Sequence, residues 1–489
     1  MNMLGWIMSI SFIAVTFIPR FLDNIMFVDG MIYAAISRNM AMGNGTFWQP
    51  QFMKTVWPSY NNCSFFCDHP PIMFMMESVL FRFFPDQTIV ENVYNLLILI
   101  VLVGLIELLW RKFFENRADI IAYSWLPVLC WYAIRTVWWS VPNNLLDTSM
   151  AVFCLLSCLF QLYALSESDV KKSIGYWFLS GSSLLLAFLT KGPIGLYPFA
   201  FAAIFALIHG RSKYFISLKG SLMMVAVFAV EMLLLMSYEP AFTFITQYFD
   251  GQVVQSLLQK RENLGNSWES HFFLIKMLKI DLLPHLAGLI GLYGLSYLVG
   301  NIPRPSISSR KVCLISLIVA LSGILPILIS KKQGASYMMP ALPFIGIFFA
   351  AAYVEIVMVL SNKYQFFTKL VLVSITVMCW FATVYTFNHS EQHYLKFSLD
   401  EIGKYVPRGK ELGVSKAFYH DSYVPAYFQR YHELSPTTDW EKMEYILADT
   451  TCSDQIKLLT NHKVIWRDRA GLFSLYKKSE EVQFNPIAR

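Results

Sequence analysis

Met as a bare sequence, this chain is expected to fold as a polytopic bundle of membrane-spanning α-helices, and three features say so. Of its 489 residues 56% are hydrophobic and only 15% charged, with a mean hydropathy of +0.47, too apolar a balance to clothe a soluble globule. About eleven apolar runs approach the ~20 residues that carry a helix across ~30 Å of hydrocarbon. Finally, the basic residues gather in short loops on alternate turns of those runs, as cytoplasmic loops do.

The runs are drawn at Leu4–Ile18, Ile89–Trp110, Ile120–Ile134, Thr148–Leu165, Ile174–Leu189, Ile194–Ile208, Leu222–Ser237, Leu282–Val299, Val312–Ile329, Met338–Leu360 and Phe367–Tyr385. The first has no basic flank and no A-x-A cleavage site, so it is expected to be a retained helix. Arg111, Lys112 and Arg117, then Lys171 and Lys172, Arg211 and Lys213, Arg304 to Lys311, and Lys363 with Lys369 mark the cytoplasmic side. These anchors account for the net charge of +6, which therefore gives no reason to invoke nucleic acid. The opposite face receives the first loop (about residues 21–88), the stretch Tyr238–Phe272 and the C-terminal hundred residues. Residues 1–387 are read as the transmembrane domain and 388–489 as a small extracytoplasmic α/β domain.

Chemistry-bearing residues concentrate on that outer face. Asp29 precedes a segment in which Ile32, Ile36 and Met40 recur at helical spacing with Ser37, Arg38 and Asn39 opposite, the pattern of an amphipathic helix lying on the membrane surface. Pro70 and Pro71 suit a second helix start, since a proline in the first turn forfeits no hydrogen bond; Asp68 and His69 stand just before it. Cys63 and Cys67 are compatible with a disulfide, a metal pair or two free thiols. Further on, Arg135 leads into the aromatic pair Trp138-Trp139, and Asp147 sits at the mouth of the fourth run, as a helix N-cap or as a functional carboxylate. Lys191, in Leu189-Thr190-Lys191-Gly192-Pro193, is costly in so apolar a setting unless it snorkels or pairs with an anion. Tyr248 and Arg261 lie in a long outer loop read as a lid or acceptor gate. Lys331, Lys332 and Tyr337 follow on the same face, against the positive-inside trend. In the tail, His420, Asp421, His432 and His462 are scattered and form no catalytic constellation.

These stretches resemble a known family. Asp29-x-x-x-Tyr33-Ala34, Trp48-x-Pro50-x-Phe52, Asp68-His69-Pro70-Pro71, the Leu189–Pro193 turn, and Tyr337-x-x-Pro340-x-x-Pro343 after Ser330 are similar to the outer-face loops of lipid-linked-sugar glycosyltransferases of the GT-C fold. That group includes the protein O-mannosyltransferases and the bacterial aminoarabinose transferase of lipid A. The resemblance, carried by residues 20–350, implies a GT-C-like bundle in a bacterial inner membrane with its active site on the periplasmic face. It also implies a second Asp, here Asp147, near the top of a helix facing the catalytic loop. Two departures stand out: Asp29 is followed by Gly30 where the family commonly has a second acid, and His69 stands where the aminoarabinose group prefers Lys.

The chemistry expected without the resemblance agrees. Cytoplasmic loops are short and no phosphate-cradling glycine motif opens a βαβ unit, so a nucleotide-dependent reaction has no place to occur. Transfer on the outer face needs a donor carried by lipid, such as a polyprenyl-phosphate sugar. Its acceptor, a lipid, glycan or protein hydroxyl, is to lose its proton to a carboxylate. Asp29 is the expected base with Asp147 or Asp68 as helper, and Asp68 is the candidate ligand for a divalent metal. His69, Lys191, Lys331, Lys332, Arg135 and Arg261 are the cations expected to stabilise the leaving phosphate. Tyr33, Tyr248 and Tyr337 are expected to line the substrate. The rivals are a transporter or lipid flippase, for which Glu107, Glu231, Asp281 and Glu355 lie in or near spans, and a glycan polymerase or ligase.

Overall fold

A computed structural model describes residues 2–22, 26–54, 63–84, 87–255, 272–300, 303–329, 333–388, 395–439, 442–449, 461–468 and 471–479. Its helices, in chain order, are α1 (Asn2–Leu22), α2 (Val28–Ala41), α3 (Ile72–Phe83), α4 (Val90–Phe113), α5 (Ala118–Ile121), α6 (Trp125–Tyr132), α7 (Arg135–Ser140), α8 (Leu146–Ser166) and α9 (Val170–Lys191). There follow α10 (Phe201–His209), α11 (Tyr214–Met236), α12 (Glu239–Tyr248), α13 (Phe273–Leu298), α14 (Ile307–Ile329), α15 (Leu342–Lys363) and α16 (Gln365–Asn388).

The protein is an integral membrane protein, and each of the eleven apolar runs is helical. Among the described residues 8 helices are long and apolar enough to cross a membrane: α1, α4, α8, α9, α11, α14, α15 and α16. The other three runs depart from a clean span for local reasons. A turn at Ala122–Ser124 splits α5 from α6. Pro193 and Pro198 hold the start of the sixth run in a 3₁₀ turn, Pro193–Ala200, before α10 takes over. Lys276, Lys279 and Asp281 load the first turns of α13 with charge, and Pro284 interrupts its ladder.

Burial ranks the helices. Of the spanning residues 83% are buried in α8, against 11% in α11 and 17% in α16, so α8 is the axis of the bundle and the other two form its lipid-facing wall. Small and hydroxyl residues let α8 and α9 approach: Ser157 and Ser180 hydroxyls meet at 2.8 Å.

On the outer side, α2 and α3 lie against one another above the bundle. The polar side of α2 does not face water: Ser37, Arg38 and Asn39 are buried, Asn39 against the carbonyls of Gln51 and Phe52 and Arg38 against the C-terminal domain. That domain carries the sheet β1 (Glu411–Val414), β2 (Ser435–Thr437), β3 (Tyr445–Asp449), β4 (His462–Arg467) and β5 (Phe473–Lys478), in the order β2-β1-β3-β5-β4. β1 runs parallel to β2 and β3, and β5 antiparallel to β3 and β4. The Arg38 guanidinium donates to the Arg430 carbonyl at 2.9 Å, and Arg430 in turn forms a fully buried ion pair with Glu91 of α4 at 2.5 Å.

The stretch read as an open loop after Ser237 is largely helical where it is described. Pro240 occupies the first turn of α12, and Ala241, Phe244, Ile245 and Tyr248 repeat at helical spacing to form its buried face. Phe244 stacks on Phe65, beside a disulfide that joins Cys63 to Cys67.

Candidate active site

Two asparagines bring the first loop onto the axis helix. The chain enters α8 through Pro142-Asn143-Asn144, and Asn144 takes the left-handed conformation, φ 54° and ψ 43°, which asparagine tolerates better than other side-chain-bearing residues. Asn143 Oδ1 accepts from the Phe27 backbone N–H at 2.7 Å, and Asn144 Nδ2 donates to the Gly30 carbonyl at 3.2 Å and to Glu77 Oε1 at 3.0 Å. The start of α2 is thereby stitched to the start of α8. Gly30 is required at this contact, since a Cβ there would lie 2.1 Å from the Asn143 carbonyl oxygen. The glycine that follows Asp29, in place of a second acid, thus has a steric reason.

Asp29 and Asp147 consequently share one site. Asp147 is the second residue of α8 and the N-cap position is Leu145's, so the capping reading does not hold. Its Oδ2 instead accepts from Lys191 Nζ at 2.5 Å, both side chains being buried, at 1% and 8% exposure. An ammonium this deep in an apolar end of the bundle demands such a partner. Asp147 Oδ1 is buried without a hydrogen-bond partner, which leaves one carboxylate lone pair uncommitted. The Lys191 ammonium also stands over the Tyr337 ring, 4.4 Å from its centroid.

Tyr33 lies at the centre. Burial, and after it the charges of Asp29 and Asp147, push its phenol well above the ordinary range, so the hydroxyl stays protonated. Asp68 and Tyr337 act on the same hydroxyl electrostatically. His69 meets the Tyr33 ring edge-on, with centroids 5.8 Å apart. Tyr248 closes the site from α12: its hydroxyl donates to the Lys191 carbonyl at 3.1 Å. It sits where a side chain on Gly192 would be, 1.9 Å from that Cβ position, and Gly192 has φ +88°, so glycine is needed twice over. Asp68 accepts from Gln252 Nε2 in the π-turn that extends α12, which ties the loop before α3 to this wall.

Of the residues singled out in the sequence, Asp29, Tyr33, Asp68, His69, Asp147, Lys191, Tyr248 and Tyr337 therefore converge. Arg135 does not share those contacts; it is exposed, and its electrostatic partner is Asp281 of α13. Lys331, Lys332 and Arg261 lie outside the described residues. Among the described residues no group of three or more His, Cys, Asp or Glu side chains is arranged to hold a metal ion, so no step below is routed through one. Sequence reasoning passed over Asn143, Asn144 and Glu77. Their signals were an Asn pair following a proline at a helix mouth, and a glutamate inside the apolar run from Met73 to Phe84.

The acidic residues in or near spans have local partners. Glu107 pairs with Arg111 at 2.8 Å, Asp281 accepts from the Thr136 N–H and hydroxyl, Glu355 receives the Ser306 N–H at the start of α14, and Ser182 donates to Glu231.

Residues 68–236 match the model of the dolichyl-phosphate-mannose-protein mannosyltransferase family. No curated protein sequence matches the chain. Among solved structures, the chain is similar to ArnT from Cupriavidus metallidurans bound to undecaprenyl phosphate, with a TM-score of 0.65 and 16% identity over 96% of this chain and 98% of that one. The apo state of the same protein gives 0.64 and 15% over 95% and 96%. The Archaeoglobus fulgidus oligosaccharyltransferase in complex with Zn and sulfate gives 0.48 and 12% over 97% and 73%, too loose a likeness to argue from.

Proposed function

We infer that this chain, which has the GT-C fold of the ArnT structures it resembles, is an inverting glycosyltransferase working at the outer face of its membrane. It moves a sugar from a polyprenyl-phosphate donor to the hydroxyl of a lipid, glycan or protein acceptor. The observation that carries the reading is the meeting of Asp29, Asp147 and Lys191 around Tyr33 at one end of the bundle. ArnT, with which the chain shares its fold over nearly its whole length, binds undecaprenyl phosphate in one of those structures.

In the proposed step Asp29 takes the proton of the acceptor hydroxyl as its oxygen bonds to the anomeric carbon. The bond from that carbon to the phosphate oxygen breaks, and the electron pair leaves with the polyprenyl phosphate. Displacement from the opposite face inverts the anomeric configuration. Lys191, held by Asp147 and flanked by Tyr337, supplies positive charge beside the departing phosphate, with His69 as a second donor. Arg135, Lys331, Lys332 and Arg261 are assigned supporting roles on the same face, and Asp68 is the ligand a divalent metal would use. The membrane is read as a bacterial inner membrane with the site on the periplasmic side; the Cys63–Cys67 disulfide, at home in an oxidising compartment, supports that placement.

The test is transfer from radiolabelled polyprenyl-phosphate sugar in membranes carrying the protein. Label should leave the prenyl lipid, and Asp29→Asn should lower the rate by ~10²–10⁴-fold, the range of a general base, without loss of folded protein. Transfer retained in that variant would remove Asp29 from the mechanism, and lipid crossing the membrane with its sugar still attached would make the protein a transporter.

A further inference from the structure

A cavity of about 510 Å³ opens at the seam between the first loop and the C-terminal domain. It lies within the ~300–1,000 Å³ range of small-molecule sites. It is separate from the carboxylate pair: Arg38, in its wall, is nine residues beyond Asp29 on α2, about 13 Å along the helix and on the opposite side. We propose that this cavity binds a saccharide carrying an anionic substituent, and that the saccharide belongs to the acceptor.

Four observations carry the assignment. The Arg38 guanidinium is 2% exposed; Nη1 donates to the Arg430 carbonyl and Nη2 to Asn39 Oδ1, while Nε is buried with no partner. An orphaned donor on a buried cation costs stability unless a ligand uses it. Lys54 adds a second, exposed cation at the rim, where its Nζ reaches the Gly409 carbonyl at 2.9 Å. Among the described lining residues Glu433 is the one carboxylate; it is engaged by Arg408 at 3.3 Å and its charge also acts on Arg38, so against the two cations Arg38 and Lys54 the wall keeps a net positive charge.

The rest of the wall favours a sugar over a peptide or a bare anion. Asn39, Gln51, Gln429 and Ser435 line it with amides and a hydroxyl, groups that donate and accept as sugar hydroxyls do and that here also bond to one another and to nearby backbone. Among the described lining residues the apolar side chains are Met42 and Met53. The two halves come from both domains, and Ser435 bridges them by accepting from the Lys54 N–H at 3.2 Å. The identity of the ligand as acceptor rests on the transferase reading, but the binding itself does not.

Equilibrium dialysis of the detergent-solubilised full chain against radiolabelled glucose 1-phosphate tests the proposal, with unlabelled glucose and inorganic phosphate as competitors. Saturable binding is expected, competed better by unlabelled glucose 1-phosphate than by either fragment. Lys54→Ala, a change at an exposed position, should weaken it about tenfold, the size of one charge-assisted hydrogen bond, and Arg38→Gln by more. Asp29→Asn should bind as the parent does while losing transfer. The proposal is overturned by absence of saturable binding at ~10 mM, which is weaker than a useful subsite. It is also overturned if phosphate alone competes equally well, if Lys54→Ala and Arg38→Gln both bind normally, or if Asp29→Asn abolishes binding. Failure of transfer in the parent protein with the cavity still occupied would sink the transferase reading instead.

Discussion

The Asp147–Lys191 pair shows how burial sets the cost of each change. Removing one partner strands a charge inside the bundle, so Lys191→Met should destabilise the protein by about 3–5 kcal/mol, whereas joint replacement with Asp147→Asn should recover much of that loss. Denaturant titration in mixed micelles checks the difference, and activity should be lost in both variants. Glu77 makes a pH prediction. It is fully buried beside Glu91, and burial first and that neighbour second push its carboxyl up to about 8 from 4.5. Between those values the unfolded chain has released the proton and the folded one has kept it. Stability contributed by Glu77 is therefore present at low pH and falls as pH rises through this window, by up to about 1.4 kcal/mol per pH unit. Glu77→Gln should flatten that slope; an unchanged slope would mean the carboxylate is ionised in the fold. Gln keeps an oxygen for Asn144 to reach, so the stitch between α2 and α8 should survive.

Elements meet at this site through close approaches rather than through regular packing. The turn from α9 into the Pro193–Ala200 segment is possible only because Gly192 has no side chain and a left-handed φ. Gly192, at φ 88° and ψ −150°, occupies a region essentially confined to glycine, so Gly192→Ala adds about 1–3 kcal/mol of backbone strain and a collision with the Tyr248 hydroxyl. Adding Tyr248→Phe should relieve the collision and leave the strain, so the double variant should be more stable than the single one by thermal unfolding. Helical periodicity located α2, α3 and the spans well, because apolar faces write their spacing into the chain. It did not show what covers the polar side of α2, since the covering residues, Gln429 to His432, come nearly four hundred positions later. α12 was legible in its spacing of Ala241, Phe244, Ile245 and Tyr248 and was masked by the polar residues around it.

At the scale of the whole molecule, the C-terminal domain is part of the frame of the site and not an appendage. Arg430 descends from it to pair with Glu91 at the outer end of α4, while its carbonyl takes the Arg38 guanidinium. Arg430→Gln should leave Glu91 buried and unpaired, cost about 3–5 kcal/mol, and loosen the domain. Limited proteolysis is expected to release it faster than from the parent protein, with Glu91→Gln added to Arg430→Gln slowing release again. What the sequence alone determined was the membrane bundle and the stretches around Asp29, Asp68 and Lys191 that come together in the fold, because hydropathy and short motifs are local properties. Only the tertiary structure decided which carboxylate meets which cation, why Gly30 stands beside Asp29, and where the cavity at the seam lies. Those are matters of contact between segments far apart in the chain, and contact is set by packing, which no stretch of sequence contains by itself.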